Sequence, residues 1–164
     1  MLFQVNYFLS EKSIINTHQH GFRQNKSTES LLFELHDRIR NTLNDGKLAI
    51  IISLDLSKAF DTLNHFQLIN QLRDVGFSIK AQKLILGYRC ERVVQISINN
   101  VRSRPIKTLS GVPQGSILGP TLFNICINDF ISMVVNKDVF QYADDCQILQ
   151  STLHRNGQKL IIYV

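Results

Sequence analysis

Two adjacent aspartates, Asp144 and Asp145, lie between the apolar segments VFQYA and CQIL. Like charges this close raise each other's proton affinity unless a cation compensates them. A solvated turn would account for the pair equally well, because aspartate favours turns on its own. A third carboxylate, Asp55, changes the balance: it ends the apolar run LAIIISLDL, where a surface role is hard to justify. If the two segments neighbour each other in one sheet, Asp55 and Asp144 can face one ion. Oxygen ligands without histidine or cysteine suit Mg²⁺, which keeps some waters and takes other ligands from phosphates. Two such ions about 4 Å apart stabilise the attacking and leaving oxygens of an in-line phosphoryl transfer.

Other chemistries find less support. The three cysteines, Cys90, Cys126 and Cys146, are widely spaced and form no CxxC pair, so neither a zinc site nor a disulfide framework is expected. Free thiols fit a reducing, intracellular compartment, nuclear or cytoplasmic. No nucleophile triad is apparent. A formal charge of +5 is compatible with a polyanionic partner. No apolar run approaches the roughly 20 residues that span a bilayer, so no membrane association is expected. The N-terminal residues also lack the pattern of a secretory signal.

The elements that must hold the carboxylates can be read from periodicity and caps. Leu31, Leu32, Leu35, Ile39 and Leu43 predict a helix from Ser27 or Thr28 to Asn44. LAIIISLDL follows as a strand apolar on both faces, as at the centre of a helix-covered sheet. A helix through Phe66, Leu68, Ile69 and Leu72 would end at Gly76, and Ser78 would cap the next. Strands at 93–98 and 102–109 flank an Asn99–Asn100 hairpin turn. A long helix over about 117–135 tolerates Pro120 in its first turn, with Ser116 able to cap it. Strands at 139–143 and 146–149 would turn at Asp144–Asp145. Helices and hairpins in this order predict an α+β fold, an antiparallel sheet with helices on one face.

Four segments, in order, resemble reverse transcriptases of non-LTR (LINE-like, jockey-type) retrotransposons. SLDLSKAFDTLNH (53–65) resembles the first palm motif and SGVPQGSILGP (110–120) the motif that opens the template- and nucleotide-contacting helix. QYADDCQIL (141–149) resembles the catalytic hairpin, and QHGFRQNKST (19–28) the fingers segment upstream. The resemblance implies a right-hand polymerase palm with part of the fingers and no thumb. Residues 1–46 would be partial fingers, 47–150 palm and 151–164 a divergent tail. It also implies RNA-directed DNA polymerase activity, with an RNA template, a DNA primer and deoxynucleoside triphosphates as partners.

Residue by residue, the resemblance gives Asp55 and Asp144 two Mg²⁺ ions, with Mn²⁺ a possible substitute, and makes Asp145 a supporting carboxylate. Phe60 matches an aromatic gate under the incoming sugar, where a rigid ring leaves no room for a 2′-hydroxyl. Gln114 and Gly115 fall near the nucleotide, and Arg23 matches an arginine that grips the triphosphate. An inactive retroelement relic that at most binds nucleic acid is the alternative, and an organellar intron maturase or telomerase the next.

Overall fold

The computed structural model describes residues 1–89, 93–108, 110–113, 115–133 and 138–153. In chain order it has helices α1 (Leu2–Glu11) and α2 (Thr28–Asn44), then strand β1 (Lys47–Leu54). A single turn α3 (Ala59–Thr62) precedes helices α4 (His65–Asp74) and α5 (Ile79–Arg89). Four short strands follow, β2 (Val93–Val94), β3 (Ser97–Ile98), β4 (Val101–Arg102) and β5 (Ile106–Lys107). Helix α6 (Gly119–Met133) leads to β6 (Asp138–Tyr142) and β7 (Asp145–Leu153). The chain forms two compact units, one of residues 3–57 with those from 127 onward, the other of residues 58–126.

In the first unit, α2 begins where its cap predicts. Ser27 Oγ accepts from the Ser30 amide at 3.1 Å and Ser30 Oγ accepts from the Ser27 amide at 3.0 Å. This reciprocal box satisfies two amides that a helix start otherwise orphans. Leu31 and Leu35 on its inner stripe pack on Phe140 and Leu149, with Ile39, Ala49, Ile51 and Tyr142 around them. Burying each such side chain contributes about 1.5–3 kcal/mol.

The sheet beneath is antiparallel in the order β1-β7-β6. The sequence places LAIIISLDL at the centre of a sheet; among the described residues it is an edge strand, half-buried along most of its length. β7 takes the centre because it pairs with eight residues of β1 and five of β6. β1 is apolar on both sides because both faces of the sheet are covered. α2 covers one, and Phe130 of α6 packs with Val139, Cys146, Ile148 and Ile52 on the other.

In the second unit, the helix expected through Phe66, Leu68, Ile69 and Leu72 is α4, separated from the turn α3 by Leu63 and Asn64. The Leu63 carbonyl accepts from the Gly111 amide at 2.9 Å, a pairing across the chain that local periodicity does not encode. Asn64 then caps α4, its Oδ1 accepting from the Phe66 amide at 2.8 Å. Ser78 caps α5, accepting from the Ala81 amide at 3.3 Å. Asn99 and Asn100 both take positive φ (48° and 66°), as a two-residue type I′ hairpin turn requires. The hairpin is interrupted: between the Val94–Ile106 and Ser97–Arg102 pairs, three residue steps on one strand meet four on the other. That is a bulge, placed where Pro105 has no amide to donate. α6 starts at Gly119, whose amide donates to Ser116 Oγ at 3.1 Å.

Candidate active site

The β1–β7 register decides where the carboxylates meet. Its last pair is Leu54 with Cys146. One step further, the same register sets Asp55 opposite Asp145. Side chains alternate along a strand, so Ile51, Ser53 and Asp55 share a face with their partners Leu149, Gln147 and Asp145. This is the face α2 covers. Beside its first turn lies an open cleft of about 580 Å³, lined by Thr28, Leu31, Ser53, Asp55, Tyr142 and Asp145 among others. Asp55 and Asp145 are exposed there and Asp144 is half-buried. The hairpin turn is Ala143–Asp144, not the expected Asp144–Asp145, because Tyr142 pairs with Asp145. Asp144 therefore occupies the turn, while Asp145 is the first residue of β7.

Ala143 carries the turn at φ +56°, a region L-residues seldom adopt. Asp144 is not in that region, and this sign pattern is that of a type II′ turn, whose first position favours glycine. The alanine is held by buried polar groups from far upstream. Gln19 Oε1 accepts from the Ala143 amide at 2.9 Å and from the Gly21 amide at 2.7 Å. Gln19 Nε2 donates to the Ala143 carbonyl at 3.2 Å, joined by Gln141 Nε2 at 3.0 Å. Gln19 also bridges Gln141 through the backbone: His20 N donates to Gln141 O at 2.7 Å and Gln141 N to His18 O at 3.0 Å. Residues 18–20 thereby cover the outer edge of β6.

The same loop uses the predicted nucleotide arginine. Arg23 Nη1 donates to the Asn16 carbonyl at 2.6 Å and to the Gln19 carbonyl at 3.4 Å. Burial pushes the guanidinium below its usual proton affinity. His20, 1% exposed, sits among Ser30, Lys26 and Glu34. Ser30 Oγ donates to the Ser27 carbonyl, so toward His20 it can only accept, which puts the proton on Nδ1. Nε2 faces both Glu34 Oε2 at 3.2 Å and Lys26 Nζ at 3.3 Å. Burial first and Lys26 second lower the His20 pKa, against the opposing pull of Glu34.

The remaining predicted residues belong to the second unit. Phe60 is half-buried and its ring stacks on Phe123, centroids 4.4 Å apart. Gly115 is exposed at φ +75° with open space where a side chain would project. Gln114 lies outside the described residues. Gly111, in the same loop, lies against the main chain of Asp61. A Cβ there would fall 2.7 Å from the Asp61 carbonyl oxygen.

Comparison with known proteins decides what this arrangement belongs to. The family described as Reverse transcriptase (RNA-dependent DNA polymerase) matches residues 3–163. The chain belongs to the reverse transcriptase family. It is 30% identical over 156 residues to a probable RNA-directed DNA polymerase from transposon BS of Drosophila melanogaster, covering 91% of this chain and 17% of that protein. The RNA-directed DNA polymerase from mobile element jockey of the same organism is 28% identical, over 80% of this chain and 15% of its own length. The chain thus spans only a small part of these relatives. A solved telomerase from Candida Tropicalis, in complex with a fragment of telomeric RNA, shares the fold at a TM-score of 0.65 and 14% identity. The match covers 92% of this chain and 27% of telomerase.

Reverse transcriptases depend as a family on divalent metal. Among the described residues no three histidine, cysteine or acidic side chains close around a point. The reverse transcriptase chain offers an open edge of carboxylate oxygens, which suits a cation that keeps waters and takes phosphate ligands. Gln19, Gly21 and Gln141 were not singled out as site residues from the sequence. Their signal is the unexplained polar and glycine content of the QHG and QYADD segments.

Proposed function

We propose that the chain carries the catalytic carboxylates of an RNA-directed DNA polymerase of non-LTR retrotransposon type. It would add deoxynucleoside triphosphates to a DNA primer 3′-hydroxyl on an RNA template, releasing pyrophosphate. The observation that supports this best is the register that sets Asp55 beside Asp145, on one sheet face, with Asp144 in the adjoining turn.

In this reading Asp55, Asp144 and Asp145 hold two Mg²⁺ ions, with Mn²⁺ as a substitute. Bound there, the ions would lower the cost of the charge that develops on the attacking and leaving oxygens. The protein's own share is positioning, which dominates such transfers. β7 holds Asp145 on paired backbone, Asp55 directly follows the last paired residue of β1, and Asp144 sits in the adjoining turn. Phe60 screens the sugar against a 2′-hydroxyl, Gln114 and Gly115 approach the nucleotide, and Arg23 adds positive charge for the triphosphate. Arg23 already spends one nitrogen on backbone carbonyls, so its contribution is that of a held charge rather than a free fork.

Titration of the 164-residue chain with Mn²⁺, followed by electron paramagnetic resonance, tests the reading. Wild type should bind, and Asp144→Asn should abolish binding. Asp55→Asn and Asp145→Asn should each weaken it at least about tenfold, a usual scale for metal-site damage. Equal affinity across all four proteins would remove the assignment. Affinity for an RNA–DNA hybrid should also fall with added salt, given the +5 charge.

A further inference from the structure

We infer that Gln19 is a positioning residue for the aspartate turn: its carboxamide fixes Ala143, and through Ala143 the direction of Asp144 and Asp145. The inference rests on reading those aspartates as metal carboxylates. In a two-residue hairpin the flanking pair, here Tyr142 and Asp145, bond to each other. The amide and carbonyl of the first turn residue have no partner within the hairpin. Elsewhere water would serve them, but Ala143 is only 5% exposed. Gln19 supplies both missing partners, Oε1 to the amide and Nε2 to the carbonyl.

Three further observations make this a built device rather than a chance contact. Gln19 and Gln141 are 1% and 0% exposed, so the carboxamides that meet at the Ala143 carbonyl work away from competing water. Gly21 lies so close that a Cβ on it would fall 2.2 Å from the Ala143 nitrogen, leaving the clamp no slack. The loop that carries Gln19 is itself anchored. Asn128 Oδ1 accepts from the Asn16 amide at 2.8 Å, and Asn128 Nδ2 donates to the Ile14 carbonyl at 3.0 Å. Arg23 ties the Asn16 and Gln19 carbonyls together. An unsupported turn with alanine at positive φ would relax toward other conformations and carry its aspartates with it.

The test compares Mn²⁺ affinity per folded molecule in the wild-type 164-residue chain, Gln19→Met and Gln19→Glu, with folding followed by circular dichroism. Gln19→Met removes the Gln19 side-chain bonds at similar volume, leaving the Gln141 bond to the Ala143 carbonyl, and should weaken Mn²⁺ binding about tenfold or more, the usual effect of losing a partner that orients a ligand. Gln19→Glu keeps an acceptor for the Gly21 and Ala143 amides and should lose less. A merely structural role would lower stability in both variants and leave affinity per folded molecule unchanged; that result overturns the inference while the metal reading stands. No Mn²⁺ binding by wild type overturns both. If Gln19→Met fails to fold, amide exchange in wild type decides: the Ala143 amide should be protected, and exchange at the rate of an open turn would refute the clamp.

Discussion

Replacing Gly21 by alanine is the sharpest test of how the loop meets the aspartate hairpin. The added methyl carbon would stand 2.2 Å from the Ala143 nitrogen, 2.9 Å from its Cα and 3.1 Å from its Cβ. Ordinary contact begins at 3.4 Å, so two stretches of main chain must part by about 1.2 Å. Neither is the mobile end of a side chain. Overpacking of this kind costs about 1–3 kcal/mol. A shift of that size would also stretch the Gln19 bonds to Ala143, now 2.9 and 3.2 Å, beyond hydrogen-bonding range. A buried amide left without a partner costs about 1–3 kcal/mol more. Together the loss is about 2–6 kcal/mol, a large share of the roughly 5–15 kcal/mol that a domain has to lose. In urea, where m is about 2 kcal/mol/M for a protein of this size, the midpoint should fall by about 1–3 M. Gly87 is the matched control. It lies in α5 with nothing within 4 Å of the added carbon. Gly87→Ala should therefore raise stability by about 0.5–1 kcal/mol through helix propensity alone. Midpoints for Gly21→Ala and wild type that agree within about 0.3 M would refute the packing argument.

Ser27→Ala removes the side-chain acceptor for the Ser30 amide and should cost about 1 kcal/mol, read as a lower melting temperature. His20 has its pKa lowered from 6.5, chiefly by burial. Between 6.5 and that lower value the unfolded chain binds the proton and the folded one does not, so the stability present above 6.5 is lost as pH falls. Urea midpoints from about pH 8 to pH 5 should drop more steeply for wild type than for His20→Gln; parallel curves would contradict this. Phe60→Val removes the ring stacked on Phe123 and should destabilise by about 1–3 kcal/mol. In an active polymerase it should also relax discrimination against ribonucleotides about tenfold or more; unchanged discrimination in a nucleotide-addition assay would remove the gate assignment.

What the amino-acid order determined by itself is local. Ser27 and the Leu31–Leu35–Ile39 stripe define α2, because caps and 3.6-residue periodicity act within a few residues. Asn99–Asn100 marks a hairpin for the same reason, and the four motif segments carried family membership. Asp55, Asp144 and Asp145 could be named as a group, since their residue types and flanking apolar runs are visible in the chain. What they could not show is which aspartate faces Asp55. That depends on a β1–β7 register between segments nearly a hundred residues apart, where one step of slip exchanges the two faces of the sheet. Only the tertiary structure made β1 an edge, moved the turn to Ala143–Asp144 and set Gln19 against a backbone 124 residues away. For the turn and Gln19 the physical reason is shared. Aspartate's preference for turns is a local bias, and it yields when buried partners from distant sequence satisfy the polar groups of a neighbouring residue.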